Sequence, residues 1–72
     1  MNSRQIATLL KKRRKEVGIS QQKLAELSDV SVRKISDIET AAGDTSVGTL
    51  SKILQVLGLE MQIVIKVMDD EI

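Results

Sequence analysis

Residues 20–39 read SQQKLAELSDVSVRKISDIE, and their spacing predicts two short helices joined by a tight turn. Ser20 can cap the first helix, because its hydroxyl accepts from N–H groups that the first turn leaves unpaired. Leu24, Ala25 and Leu27 mark an apolar stripe, Ser28 and Asp29 interrupt it, and Val30 follows as a single apolar plug. Ser31 is a second cap. It opens a helix with Ile35 and Ile38 on its apolar side, while Arg33, Lys34, Ser36 and Asp37 face outward. Two caps eleven residues apart leave room for about two turns, a bend and a new helix start. That is the layout of a helix-turn-helix, whose second helix can lie in a DNA groove.

The rest of the composition sets bounds on that reading. The chain has 72 residues and contains no Phe, Tyr, Trp, Cys or His. One domain is expected, with a small core of Leu, Ile, Val, Ala and Met. Such a core supplies about 3–5 kcal/mol, so a second chain or a ligand is expected to complete it. Without cysteine there are no disulfides or thiolate metal sites, and without histidine the commonest general base and metal ligand are missing. No metal or cofactor is expected. Nor is catalysis, since Asp69, Asp70 and Glu71 have no nucleophile–base pair or glycine-rich phosphate loop beside them. No apolar run approaches the roughly 20 residues of a membrane span, and no signal-peptide pattern is visible, so a soluble cytoplasmic protein is expected.

A net charge of +1 hides an asymmetry. Residues 1–40 carry nine Lys or Arg against five Asp or Glu, and residues 41–72 carry two against five. The first part has the electrostatics of a polyanion binder and the second does not.

In chain order, Met1 and Asn2 are expected to fray, and Ser3 to cap a first helix reaching about Glu16. Ile6, Leu9, Leu10, Arg13 and Val17 follow one side of that helix. Residues 11–15, KKRRK, are either a solvated face or a source of phosphate contacts, Lys12 among them. Gly18 breaks the helix. Gln21 and Gln22 then sit where backbone amides and the helix dipole favour an anion; Gln21 is read either as a phosphate contact or as a plain exposed residue. Asp29 falls where the bend asks for a positive φ. In the next helix, about residues 32–40, Ser31, Val32 and Arg33 are best placed for base edges. Arg33 suits guanine, Ser36 offers a short polar contact, Lys34 suits a phosphate, and Val32 suits either a thymine methyl or the core margin. Residues 41–46, AAGDTS, form a loop in which Gly43 reverses the chain and Ser46 or Thr45 caps the next helix. That helix covers about residues 47–57, with Val47, Leu50, Ile53, Leu54 and Leu57 as its stripe and Gly58 as its stop.

Beyond Gly58 the period changes. Leu59, Met61, Ile63, Ile65 and Val67 alternate with Glu60, Gln62, Val64 and Lys66, which predicts a half-buried strand over 59–68. A short acidic tail, 69–72, follows, and 1–58 form the helical domain. A lone strand leaves its amides and carbonyls without partners. The simplest partner is the same strand of a second copy, antiparallel about a two-fold axis. Such a homodimer would set two recognition helices about 34 Å apart, matching half-sites of a palindromic operator one helical turn apart.

The stretch 18–39, GISQQKLAELSDVSVRKISDIE, resembles the Cro/C1-type (XRE-like) helix-turn-helix family of bacterial and phage repressors. The resemblance implies a mainly α, four-helix, lambda-repressor-like DNA-binding domain. It also implies a phosphate grip at Gln21, base reading by Ser31, Val32, Arg33 and Ser36, and a structural ion pair between Arg14 and Glu39. Asp29 and Ala41 stand where that family often has glycine. Residues 50–67, LSKILQVLGLEMQIVIKV, are similar to the HipB-type antitoxins, in which one C-terminal strand pairs across the dimer. That similarity implies a repressor that autoregulates its operon and restrains a HipA-type serine/threonine kinase toxin. A solitary XRE-family or phage repressor without a toxin partner is the alternative.

Overall fold

Four helices follow one another in the computed structural model, which describes residues 1–67: α1 (Ser3–Val17), α2 (Gln21–Ser28), α3 (Val32–Glu39) and α4 (Val47–Val56). Met68 and the acidic stretch 69–72 lie outside the described residues. Three helices begin on the serines the sequence points to. Ser20 accepts from the Lys23 amide at 3.0 Å, Ser31 from Lys34 at 3.1 Å and Ser46 from Thr49 at 3.1 Å. The fourth start differs, because Asn2 and not Ser3 caps α1. The Asn2 side chain accepts from the Gln5 amide and the Gln5 side chain accepts from the Asn2 amide, both at 2.9 Å. This reciprocal box needs a Glu or Gln three residues on, which Asn2 has and Ser3, followed by Ile6, lacks.

The helix ends are set by left-handed residues. Gly18 at φ 85° returns its amide to the Arg14 and Lys15 carbonyls, and Asp29 at φ 59° returns its own to Ala25. Asp29 therefore adopts the positive φ that the bend asks for. Ala41, just past α3, is the second non-glycine there, at φ 58°. That conformation costs an alanine about 1–2 kcal/mol. Ala41→Gly is expected to stabilise the fold by about 1 kcal/mol, a rise in Tm of roughly 4–8 °C by calorimetry. An unchanged Tm would mean that the lost methyl packing matches the relieved strain.

The core joins Leu10 of α1, Leu24 of α2, Ile35 and Ile38 of α3, Ile53 and Leu54 of α4, and Leu57 just beyond it. Packing of α3 on α1 and α2, and of α4 on α2, closes around these residues. Four residues assigned from sequence to buried stripes lie outside: Leu9, Val17, Leu27 and Val47, between 40% and 70% exposed. In α2 the inward face passes through Leu24 and Ser28, one turn apart, which swings Leu27 out. Ser28 can be buried because its hydroxyl donates to the Leu24 carbonyl at 2.6 Å, so no polar atom is left unpaired. In α1 the inward face runs through Ala7 and Leu10; Leu9 lies about 100° around the helix from Leu10, and Val17 is the exposed last residue.

Residues 59–67 form no strand among the described residues. The segment was expected to be one, and the reason for the difference is physical. A strand is held by a neighbour that takes its amides and carbonyls, and the described residues of one copy supply no neighbour. Pairing across a dimer is therefore not a feature of the single chain. Leu59 remains packed against the core, whereas Ile63, Ile65 and Val67 are 100%, 95% and 84% exposed. The radius of gyration, 14.0 Å against about 11 Å for a compact chain of this length, reflects a segment that leaves the helical body.

Candidate nucleic-acid interface

With Ile35, Ile38 and Glu39 buried, α3 turns its other side outward. Ser31, Val32 and Arg33 at its start are exposed, and Lys34, Ser36 and Asp37 are partly exposed. Val32, read from sequence as either base contact or core margin, is 45% exposed. Lys34, which the sequence suits to a phosphate, has its ammonium donating to the Asp44 carbonyl at 2.9 Å, a bond that ties α3 to the following loop. That uses one of three donors.

Beneath this surface lies a buried ionic cluster. Arg14 Nε donates to Glu39 Oε2 at 2.7 Å, and Arg14 Nη2 to Glu39 Oε1 at 3.0 Å. The second terminal nitrogen of Arg14 donates to the Ile19 carbonyl at 2.8 Å. Gln21 Nε2 donates to Glu39 Oε1 at 3.0 Å. The side chain of Glu39 is 3% exposed and that of Arg14 11%. Burial pushes the Glu39 carboxyl upward, but the hydrogen bonds from Arg14 and Gln21, with the charges of Arg14 and Lys11, outweigh it and hold the group below its ordinary value. The Arg14 guanidinium is raised, first by its hydrogen bond to Glu39. The cluster pins the end of α3 to α1 and to the start of α2. Gln21 is thus neither a plain exposed residue nor free: its amide is committed inward. Ser20 takes the Lys23 and Leu24 amides, leaving those of Gln21 and Gln22 as the ones the helix itself does not satisfy.

The basic run of α1 divides by role. Arg14 serves the cluster, and Arg13 Nε donates to the Leu57 carbonyl at 2.8 Å, closing the end of α4. Lys11, Lys12 and Lys15 are exposed and line a groove of about 440 Å³ with Ala7, Thr8 and Glu39. Sequence reading named only Lys12 of these three. The i, i+4 spacing of Lys11 and Lys15 was the signal that pairs them on one face. Among the described residues there is no group of side chains suited to hold a metal ion, and no helix is long and apolar enough to cross a membrane.

A capped helix pair that turns an arginine-bearing helix outward, beside a lysine-lined groove, defines a helix-turn-helix DNA-binding regulator. The chain belongs to the XRE-like helix-turn-helix family HTH_3, whose model matches residues 10–64. Solved structures similar to it include three informative ones. A point mutant of the restriction-modification controller protein C.Esp1396I is 28% identical, with TM-score 0.75, over 81% of this chain and 75% of that one. A chain of the HipA-HipB-O2-O3 complex and a chain described as MDT protein are each 31% identical, with TM-score 0.79, over 89% of this chain and 90% of the other. Among curated proteins none matches significantly.

Proposed function

We propose that this protein is a homodimeric, sequence-specific transcriptional repressor that autoregulates its operon and acts as the antitoxin of a HipBA-type system, restraining a serine/threonine kinase toxin. The observation that carries the repressor reading is the outward face of α3, with Arg33 exposed next to the exposed cap Ser31. Arg33 reads guanine with two hydrogen bonds, Ser31, Val32 and Ser36 complete the base contacts, and phosphates are held by the backbone amides of Gln21 and Gln22 and by the ammoniums of Lys12 and Lys34. For Lys34 this means using the donors that Asp44 leaves free. The dimer is supported by the alternating tail, in which Met61 is partly covered and Ile63, Ile65 and Val67 are almost fully exposed among the described residues. Leu59 anchors it to the body.

Arg33→Ala is expected to weaken operator binding by about 1–3 kcal/mol and to relax preference at one base pair, with dimerisation unchanged. Footprinting and competition titration at fixed salt measure both. A variant that protects the operator as well as the wild type does would remove α3 as the reading helix.

The antitoxin part is supported by the similarity to a chain of the HipA-HipB-O2-O3 complex. The similarity to a restriction-modification controller favours a second reading, a repressor with no toxin partner. Co-expression with the product of the neighbouring reading frame separates them. A stable complex that silences a kinase activity supports the antitoxin, and the absence of a kinase-like frame supports the solitary repressor.

A further inference from the structure

We propose that Asp37 is a specificity-determining residue that accepts a hydrogen bond from the exocyclic amine of a cytosine in the major groove, close to the base pair read by Arg33. The inference rests on the DNA-binding reading above. At 100° per residue, the buried positions Ile35, Ile38 and Glu39 fix the inward side of α3, and the opposite pole is shared by Arg33 and Asp37, about 40° apart. The two lie about 6 Å apart along the helix axis, against a rise of about 3.4 Å per base pair, so they address pairs within about two steps of each other.

Nothing among the described residues accounts for the carboxylate. Aspartate is a poor helix former, and in the last turn it meets the negative end of the helix dipole. Glu39, in the same turn, is neutralised by Arg14. Among the described residues no ion pair and no hydrogen bond engages the Asp37 side chain; only its carbonyl is used, accepting from Thr40 and from Ala42 at 2.8 Å. On a helix that approaches phosphates, an unpaired carboxylate is a further cost unless the partner supplies a donor. Cytosine N4 is such a donor. Guanine and thymine present acceptors that repel the carboxylate, and adenine sets an acceptor beside its amine. Asp37 therefore selects cytosine by attraction and rejects the other three by repulsion.

Selection from a randomised duplex library, followed by titration of single-base variants of the winning site, tests this. Asp37→Ala is expected to lose roughly tenfold or more of the preference for cytosine at one position while keeping the other positions. Binding to unrelated DNA should be unchanged or tighter, because a negative charge is gone. Asp37→Asn is expected to move the preference at that position to adenine, since an amide offers both an acceptor and a donor. Far-UV circular dichroism checks that each variant is folded, and the near-isosteric Asn variant carries the test if the Ala variant is not. A wild-type chain that enriches no sequence overturns the DNA-binding reading, and this proposal with it. Clear enrichment, with every preference kept in both variants or with only a uniform change in affinity, overturns this proposal alone.

Discussion

Glu39→Ala is expected to leave a large share of the chain unfolded at neutral pH, read as a collapse of the urea midpoint followed by helical circular dichroism. The carboxylate is almost fully enclosed and holds two bonds from Arg14 and one from Gln21. Its removal strands a guanidinium in the interior with the Ile19 carbonyl as its remaining acceptor. Removing one partner of a buried pair costs about 3–5 kcal/mol. A core without aromatic residues, in a chain this short, supplies a similar amount. The two numbers are close enough that a single substitution spans the whole margin. Replacing both members with well-packed apolar residues, Arg14→Met with Glu39→Leu, is expected to recover much of the loss, since the desolvation cost of both charges disappears together. A single variant with the wild-type midpoint would mean that the cluster contributes nothing to stability. The same group sets an acid limb. Because the folded Glu39 carboxyl lies below its ordinary value of 4.5, its contribution is complete above that value and is lost as pH falls through the folded pKa. The double variant should lack this part of the pH profile.

Local signals made most of the helical scaffold legible. Serine hydroxyls at 20, 31 and 46 each met the amide three residues on, because N-cap chemistry acts within one turn and depends little on the rest of the fold. Asp29 could be placed in the bend for the same reason. Burial was less legible, because it depends on how a helix is rotated against its neighbours. Leu27 is exposed and Ser28 is buried, and no hydropathy pattern orders those two that way without the hydroxyl bond to Leu24. Arg13 and Arg14 read as part of a charge run, yet their guanidiniums reach Leu57 and Glu39, partners 44 and 25 residues away. Resemblance supplied the second of those pairs and nothing in the sequence supplied the first. The loop bond that Lys34 makes is likewise tertiary, so the local reading, which suited that ammonium to a phosphate, carries no sign of it. The alternation beyond Gly58 states only which residues want cover. What provides it is not written in the alternation, because period-two hydropathy marks a face and names no partner.

Under the dimeric reading, Ile63→Asp should shift sedimentation from dimer to monomer at micromolar concentration and lower operator affinity by about 10²-fold or more. Ile63 is fully exposed in the single chain, so the substitution removes no contact that holds the four helices. Helicity and the folded baseline should therefore match the wild type, which isolates assembly from folding. In the paired state the same side chain faces apolar neighbours, and a carboxylate placed there must be desolvated with no counter-charge on the alternating face of Met61, Ile65 and Val67. The effect on DNA follows from geometry rather than from any lost base contact. Two reading helices on a two-fold frame bind the second half-site at the high effective concentration set by the first, and a monomer forfeits that gain. Affinity for an isolated half-site should accordingly be unchanged, and the salt dependence on a full site should fall as phosphate contacts are halved. A variant that sediments as a dimer and keeps its full-site affinity would show that the apolar tail is not the seam. Exposed apolar side chains elsewhere, such as Val47 or Leu9, would then have to join the two copies.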